Sequence, residues 1–339
     1  MQQYLDLVRD TLVNGTHKPN RTGVDTISSF SQHYSIDLQK GFPALTTKQM
    51  DGYRWESLIH ELIWYLSGEE HIRNLREHTK IWNAWADDEG HLDTAYGRFW
   101  RRYPIPDTGL DGEAWPDDTH RWVNDDETTF DQLQYVIDTL NENPNSRRLV
   151  VNAWHPANAA VSTLPPCHYT FAFNVQGDTL NTHLTQRSGD IALGIPFNIA
   201  CYSLLTHIIA QHTGFKVGEF SHTIVDAHIY CGEGDHGDWY AEKLGGIQKA
   251  VQRKNAFGNV LSSGTEDRRE RLANYIESEA PADPDTLDHV PNLLTQLTRK
   301  PHPRPSIKIA DKSPGELERS DFELIGYKSH DSLSFGVAE

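Results

Sequence analysis

Apolar positions along the chain follow two different periods. Trp55, Leu58, Ile59, Leu62, Ile63 and Leu66 recur at helical spacing, and Gly68 offers a stop. Further on, Phe171, Phe173 and Val175 alternate, which predicts strands over 169–175 and 179–187 around a turn at Gln176-Gly177-Asp178. Pro196 then opens a strongly apolar helix that closes near Gly214. The segment 220–230 alternates again, placing Asp226, His228 and Tyr230 on one face of a strand.

Two polar residues interrupt this pattern informatively. At 100° per residue Glu61 falls on the border of the first helical stripe, where a carboxylate is costly unless it has partners. Asn198 sits in the first turn of the second helix, on the stripe of Tyr202, Leu205 and Ile209. It reads equally well as a local cap or as a base-recognising amide, which offers an acceptor and a donor together.

Composition narrows the class. A chain of 339 residues can bury a sizeable core, and neither a repeat nor a linker divides it, so one domain spanning 1–339 is expected. No apolar run is long enough to cross a bilayer, and the first residues lack a signal-peptide pattern, so a cytoplasmic location is expected, with no membrane partner. Acidic residues number 48 against 31 basic ones, a net charge of -17, which argues against nucleic acid as a partner. The same acidity suits a protein from a halophilic source, because concentrated salt screens the repulsion. Three cysteines, Cys167, Cys201 and Cys231, form no metal-type pair and no disulfide framework.

The strongest chemical signal surrounds one of them. Cys167 follows Pro165-Pro166 and precedes His168; about twenty residues on comes Gln186-Arg187-Ser188-Gly189-Asp190, then Gly194-Ile195-Pro196-Phe197-Asn198. Arginine can bind a phosphate and stabilise a thiolate, the reactive form of cysteine. A thiol, an anion clamp and an amide suggest covalent catalysis on a phosphorylated base, with Asn198 matched to the N3–H and O4 edge of uracil.

These segments closely resemble the thymidylate synthase family. The resemblance runs from Asn20-Arg21-Thr22-Gly23 to Tyr230 and resumes at Asn292-Leu293-Leu294-Thr295-Gln296-Leu297. It implies an α+β fold with a large mixed β-sheet flanked by helices. It also implies reductive methylation of dUMP to dTMP, with 5,10-methylenetetrahydrofolate as one-carbon and hydride donor and dihydrofolate as product. Cys167 would be the nucleophile, forming a covalent adduct, with Glu61 and Tyr96 managing protons. The resemblance assigns dUMP to Arg21, Gln186, Arg187, Ser188, Asn198, His228 and Tyr230, joined by Arg147 and Arg148 from the other subunit of a homodimer. For the folate it implies Asp190, Trp82, Trp85 and Lys48, and it implies no metal.

Several features depart from the family pattern. Phe99 stands where glutamine is common, Gly189 replaces a cysteine or alanine, and the chain ends in Glu339 rather than an apolar residue. Two acidic insertions are expected, at about 107–127 and 231–288. The second reads as an exposed, partly helical excursion, a solvated acidic loop rather than a metal site built on Cys231, Asp235 and His236. Two alternatives to the synthase remain: a nucleotide hydroxymethylase of the same fold, and a noncatalytic nucleotide- or RNA-binding homologue.

Overall fold

The structure is a computed structural model and describes residues 1–92, 95–105, 121–125, 128–252 and 263–338, with only the backbone over 263–267. In chain order its elements begin with α1 (Gln2–Asn14), β1 (Thr16–Lys18), β2 (Val24–Asp37), α2 (Tyr53–Ser67), α3 (Tyr96–Arg101), β3 (Tyr103–Pro104) and β4 (Thr129–Phe130). Then come α4 (Gln132–Glu142), β5 (Val150–Asn152), α5 (Pro156–Val161), β6 (His168–Gln176), β7 (Thr179–Asp190) and α6 (Gly194–His212). The order closes with β8 (Lys216–Glu233), α7 (Asp235–Gln252), α8 (Ser263–Glu279), α9 (Val290–Gln296), β9 (Ser306–Ile309) and β10 (Phe322–Ile325).

Six strands form the main sheet in the order β1-β2-β8-β7-β6-β5. Strands β7 and β8 run parallel and every other neighbour is antiparallel, so the sheet is mixed and the fold is α+β. The β6–β7 hairpin turns through Gly177, whose φ of 64° is one that glycine adopts freely. A parallel pair needs a crossover, and α6 supplies it. That helix is apolar on nearly every side because it lies inside the molecule: Ile199, Tyr202, Leu204, Leu205 and Ile209 are fully buried. It starts two residues before Pro196, which therefore occupies the first turn, where its missing N–H costs no helical bond.

Helix α2 buries Trp55, Leu58, Ile59, Leu62 and Leu66 and ends at Gly68, which takes the left-handed conformation at φ 73°. Each fully buried aliphatic side chain of this kind contributes roughly 1.5–3 kcal/mol. One continuous apolar cluster joins α2, α6 and the sheet and extends into α7, α8 and α9.

The expected exposed, partly helical excursion over 231–288 is helical in α7 and α8, but it is not wholly solvated. Cys231 lies buried inside β8, α7 covers Tyr240, Leu244 and Ile247, and α8 covers Ala273 and Ile276. Tyr240, Leu244 and Ile247 fall at helical spacing, so the segment carries an apolar face within an acidic composition. Of the other expected insertion, residues 107–120 and 126–127 lie outside the described residues. Trp122 is buried against Tyr135 of α4 and donates to Asp138 at 2.8 Å.

Candidate active site

The thiol is set by strand pairing. Arg187 N–H donates to the Cys167 carbonyl at 2.8 Å, continuing the β6–β7 ladder one step beyond His168. The guanidinium folds back over the two prolines, donating from Nε to Pro166 O at 3.0 Å and from Nη2 to Pro165 O at 2.6 Å. Its Nη2 lies 3.5 Å from Cys167 Sγ. Burial pushes the thiol pKa up, while the positive charges of Arg187 and Arg21 act against it. Arg21 is exposed in the turn before β2.

Tyr96 begins α3 and its hydroxyl oxygen accepts from Cys167 N–H at 2.7 Å. Burial holds its pKa well above the ordinary value, so it stays a neutral phenol. Its ring stacks on His168 at 3.7 Å, and the His168 Nδ1 meets Tyr202 OH at 2.7 Å. Burial depresses His168 to about 3, which keeps that imidazole neutral. The sequence drew no role from His168; its stacking on Tyr96 depends on α3, more than sixty residues earlier.

Glu61 is only 9% exposed. Its Oε1 accepts from Tyr65 OH at 2.8 Å and from Trp82 Nε1 at 2.8 Å. Desolvation raises its pKa to about 7 despite those two donors. Trp82 is thus a partner of Glu61 as well as an aromatic wall, and Trp85 meets it edge-on at 5.8 Å. Trp85 also borders a cleft of about 180 Å³ shared with Asp87, Leu92 and Leu164.

Gln186 connects the strand face to Asn198. Its Nε2 donates to Asn198 Oδ1 at 3.1 Å and to Ser188 O at 2.8 Å, and its Oε1 faces His222 Nε2 at 3.0 Å. His222 in turn meets Tyr34 OH at 2.7 Å. This buried relay holds the Asn198 amide by its oxygen. A methyl at Gly189 would stand 2.6 Å from Ile195 Cδ1 and 3.3 Å from Gln186 Nε2, so the bare glycine gives the relay its room.

Asp190 caps the turn into α6, its Oδ1 accepting from Ala192 N at 2.8 Å and Leu193 N at 3.2 Å. On β8, His228 and Tyr230 meet edge-on at 5.1 Å, and the Asp226 carboxylate lies 3.4 Å from His228 Nδ1. Lys48 is 4% exposed, bonded to Ala192 O beneath Phe335, and burial lowers its pKa to about 7. It therefore lies under the C-terminal tail rather than on open surface. Arg147 and Arg148 are exposed on the turn before β5, at the sheet edge beside β6. Neither is among the charges acting on the thiol.

Among the described residues, no cluster of three or more His, Cys, Asp or Glu side chains could hold a metal ion. His236, once a conceivable ligand with Cys231 and Asp235, has both ring nitrogens engaged, by Pro281 O at 2.8 Å and Asp288 at 2.9 Å. No described helix is long and apolar enough to cross a membrane. A separate groove of about 520 Å³ between α1 and the β1–β2 hairpin is lined by none of the expected site residues.

A mixed-sheet α+β scaffold that holds a guanidinium against a thiol and buries a carboxyl with a raised pKa has the makings of a group-transfer enzyme. The thymidylate synthase family model matches residues 2–339. A thymidylate synthase of Haloferax volcanii is 62% identical over 334 residues, which cover 98% of this chain and 96% of that protein. The chain belongs to the thymidylate synthase family.

Proposed function

We propose that this enzyme converts dUMP to dTMP through a covalent adduct between Cys167 and carbon 6 of the uracil ring. The observation that carries the reading is the Arg187 guanidinium, 3.5 Å from the Cys167 sulfur and bound to two proline carbonyls. A cation at that distance favours the thiolate and leaves further N–H groups for a phosphate. Thiolate addition at carbon 6 moves electron density through the ring onto O4 and activates carbon 5. The Asn198 amide, steadied by Gln186, suits the N3–H and O4 edge and can donate to O4 as its charge grows. Glu61, whose pKa burial raises to about 7, is fit to give and take protons around the base. Tyr96, a neutral phenol against the Cys167 backbone, can take part in removing the carbon 5 proton. His228 and Tyr230 offer polar edges to the sugar.

Methylenetetrahydrofolate, when bound, supplies both the one-carbon unit and the hydride and leaves as dihydrofolate. The residues present fit such a group: Trp82 and Trp85 offer aromatic surface, and Asp190 offers a carboxylate to a ring edge rich in N–H donors. Lys48 is assigned to the same ligand, as a buried amine that the tail covers.

A homodimer with composite sites follows from the same reading. Arg147 and Arg148 would complete the phosphate clamp of the other subunit, because their own thiol site does not contain them. Phe30, 84% exposed on β2, and the exposed Val225 on β8 support a covered outer face of the sheet.

The test is incubation with dUMP and methylenetetrahydrofolate, which should yield dTMP and dihydrofolate in equal amounts. Cys167→Ser should lower turnover at least a thousandfold with the unfolding temperature unchanged. A hydroxymethylated product would reject the hydride step, and a folded Cys167→Ser protein with full turnover would reject the thiol mechanism.

A further inference from the structure

His289 stands where the sheet, the tail and Asp190 meet. It is fully buried, and its backbone N–H donates to Tyr230 O at 3.0 Å. Its ring lies edge-on to Tyr230 at 5.5 Å and to Phe335 of the C-terminal tail at 5.1 Å. Nε2 lies 2.9 Å from the carbonyl oxygen of Gly336. A carbonyl can only accept, so Nε2 carries the ring proton. In the neutral ring, Nδ1 is then a lone-pair acceptor, and it has no hydrogen-bond partner within the protein.

What Nδ1 faces is the carboxylate of Asp190, 3.8 Å away at Oδ1. His289 is buried and Asp190 partly exposed, and two acceptors so opposed repel each other unless a donor enters between or beside them. The tail is seated in the same place by further bonds: Gly336 N–H to Thr286 O at 2.8 Å and Asn292 Nδ2 to Ser334 O at 2.7 Å. The segment under the seat is itself braced. Asp288 accepts from Tyr240 OH at 2.8 Å and from Val290 N–H at 2.9 Å, and pairs with His236 Nε2 at 2.9 Å. Both Tyr240 and His236 belong to α7, so the helical insertion holds the platform on which His289 sits.

We propose that His289 recognises the folate and positions the tail at once. Its Nε2–H holds the tail by Gly336, and its Nδ1 joins Asp190 as a second acceptor for the ring edge of the reduced folate. The 2-amino-4-oxo edge of a pteridine carries adjacent N–H donors, N3–H and the 2-amino group, which answer two adjacent acceptors. The inference rests on the folate reading proposed above.

Binding of two nonreactive folate analogues to the dUMP-saturated full chain tests it. One carries the 2-amino group and the other carries 2-methyl in its place. The wild type should bind the 2-methyl analogue roughly tenfold more weakly, the worth of one buried hydrogen bond. In His289→Gln the amide nitrogen can still reach the Gly336 carbonyl, but with it there the amide oxygen projects from the opposite side of the side chain and no acceptor stands at the Nδ1 position. That variant should keep hydrogen-exchange protection over 334–337 and lose most of the discrimination between the analogues. His289→Gln that discriminates as the wild type does would overturn the proposal.

Gly336→Ala gives a second test that spares the core. An added Cβ would stand 2.3 Å from Asp285 O and 2.8 Å from Thr286 O, so the tail cannot seat. Tail protection should vanish, and the 2-amino analogue should bind about tenfold more weakly, at an unchanged unfolding temperature. Wild-type affinity in Gly336→Ala would break the link between seat and folate. A wild type that binds neither dUMP nor either analogue would instead reject the function itself, before any variant is compared.

Discussion

Replacing Glu61 by glutamine should make the protein less active and, in alkaline buffer, more stable relative to the wild type. The carboxyl is buried, and desolvation raises its pKa from 4.5 to about 7 in the folded protein. The folded state therefore holds the proton more tightly than the unfolded state does. Stability from this group is fully present below pH 4.5 and is lost as pH rises through 7. A difference of about 2.5 units corresponds to roughly 3 kcal/mol at high pH, using about 1.4 kcal/mol per unit. Between pH 5 and pH 9 the wild type should lose roughly 2–3 kcal/mol that Glu61→Gln does not lose. Glutamine keeps an oxygen for Tyr65 OH and Trp82 Nε1 but brings an amide N–H pair needing acceptors. The absolute offset between the proteins thus includes a cost that does not vary with pH, and only the change with pH isolates the ionisation. Urea unfolding at half-unit pH steps measures it directly. Parallel stability curves for the two proteins would refute the reasoning, showing that Glu61 ionises in the fold as it does in water.

Arg187→Gln should move the alkylation of Cys167 by iodoacetamide to higher pH, since the cation that most strongly opposes the thiol's rise is removed. A profile that stays in place would mean Arg187 does not act on the sulfur. The net charge of -17 predicts a higher unfolding temperature and a faster initial rate in molar potassium chloride than in dilute buffer. A stability maximum in dilute buffer, read by a paired salt titration, would reject salt adaptation while leaving the active-site assignments untouched.

How far the site could be read from the sequence depended on the reach of each contact. Glu61 was visible as a border residue because helical geometry fixes its angle to Leu58 and Leu62. Its dependence on Trp82 was not, since that contact crosses from α2 to the loop beyond it. Arg187 and Cys167 could be paired through the expected adjacency of two strands, and the ladder realises it. The relay from Tyr34 through His222 and Gln186 to Asn198 spans three strands and α6, and no local pattern reports it. The segment 231–288, expected to be exposed and partly helical, was only half legible for another reason. Its acidic residues dominated the composition, whereas three apolar residues at helical spacing decided where α7 lies. His289 carries no signal of its own, because its meaning comes from Gly336 and Asp190 on either side.

Burial moves several of the expected site groups in the direction of neutrality. Glu61 rises, Lys48 falls to about 7, His168 falls to about 3, and the Cys167 thiol rises. A site built only this way would be dry but chemically inert, because its nucleophile would keep its proton. Arg187 supplies the charge that opposes the thiol's rise, and the way it is held keeps that charge available. Its tethers are the carbonyls of Pro165 and Pro166, which orient the guanidinium without cancelling its charge. A carboxylate in their place would have fixed the same geometry and neutralised the cation. The proline pair also brings no N–H donors to compete for those carbonyls or for an incoming anion. An uncancelled positive charge beside a desolvated thiol acts in a low dielectric, where each ångström matters more than in water. The Pro-Pro-Cys order is therefore part of the nucleophile's activation as well as a constraint on the chain's path.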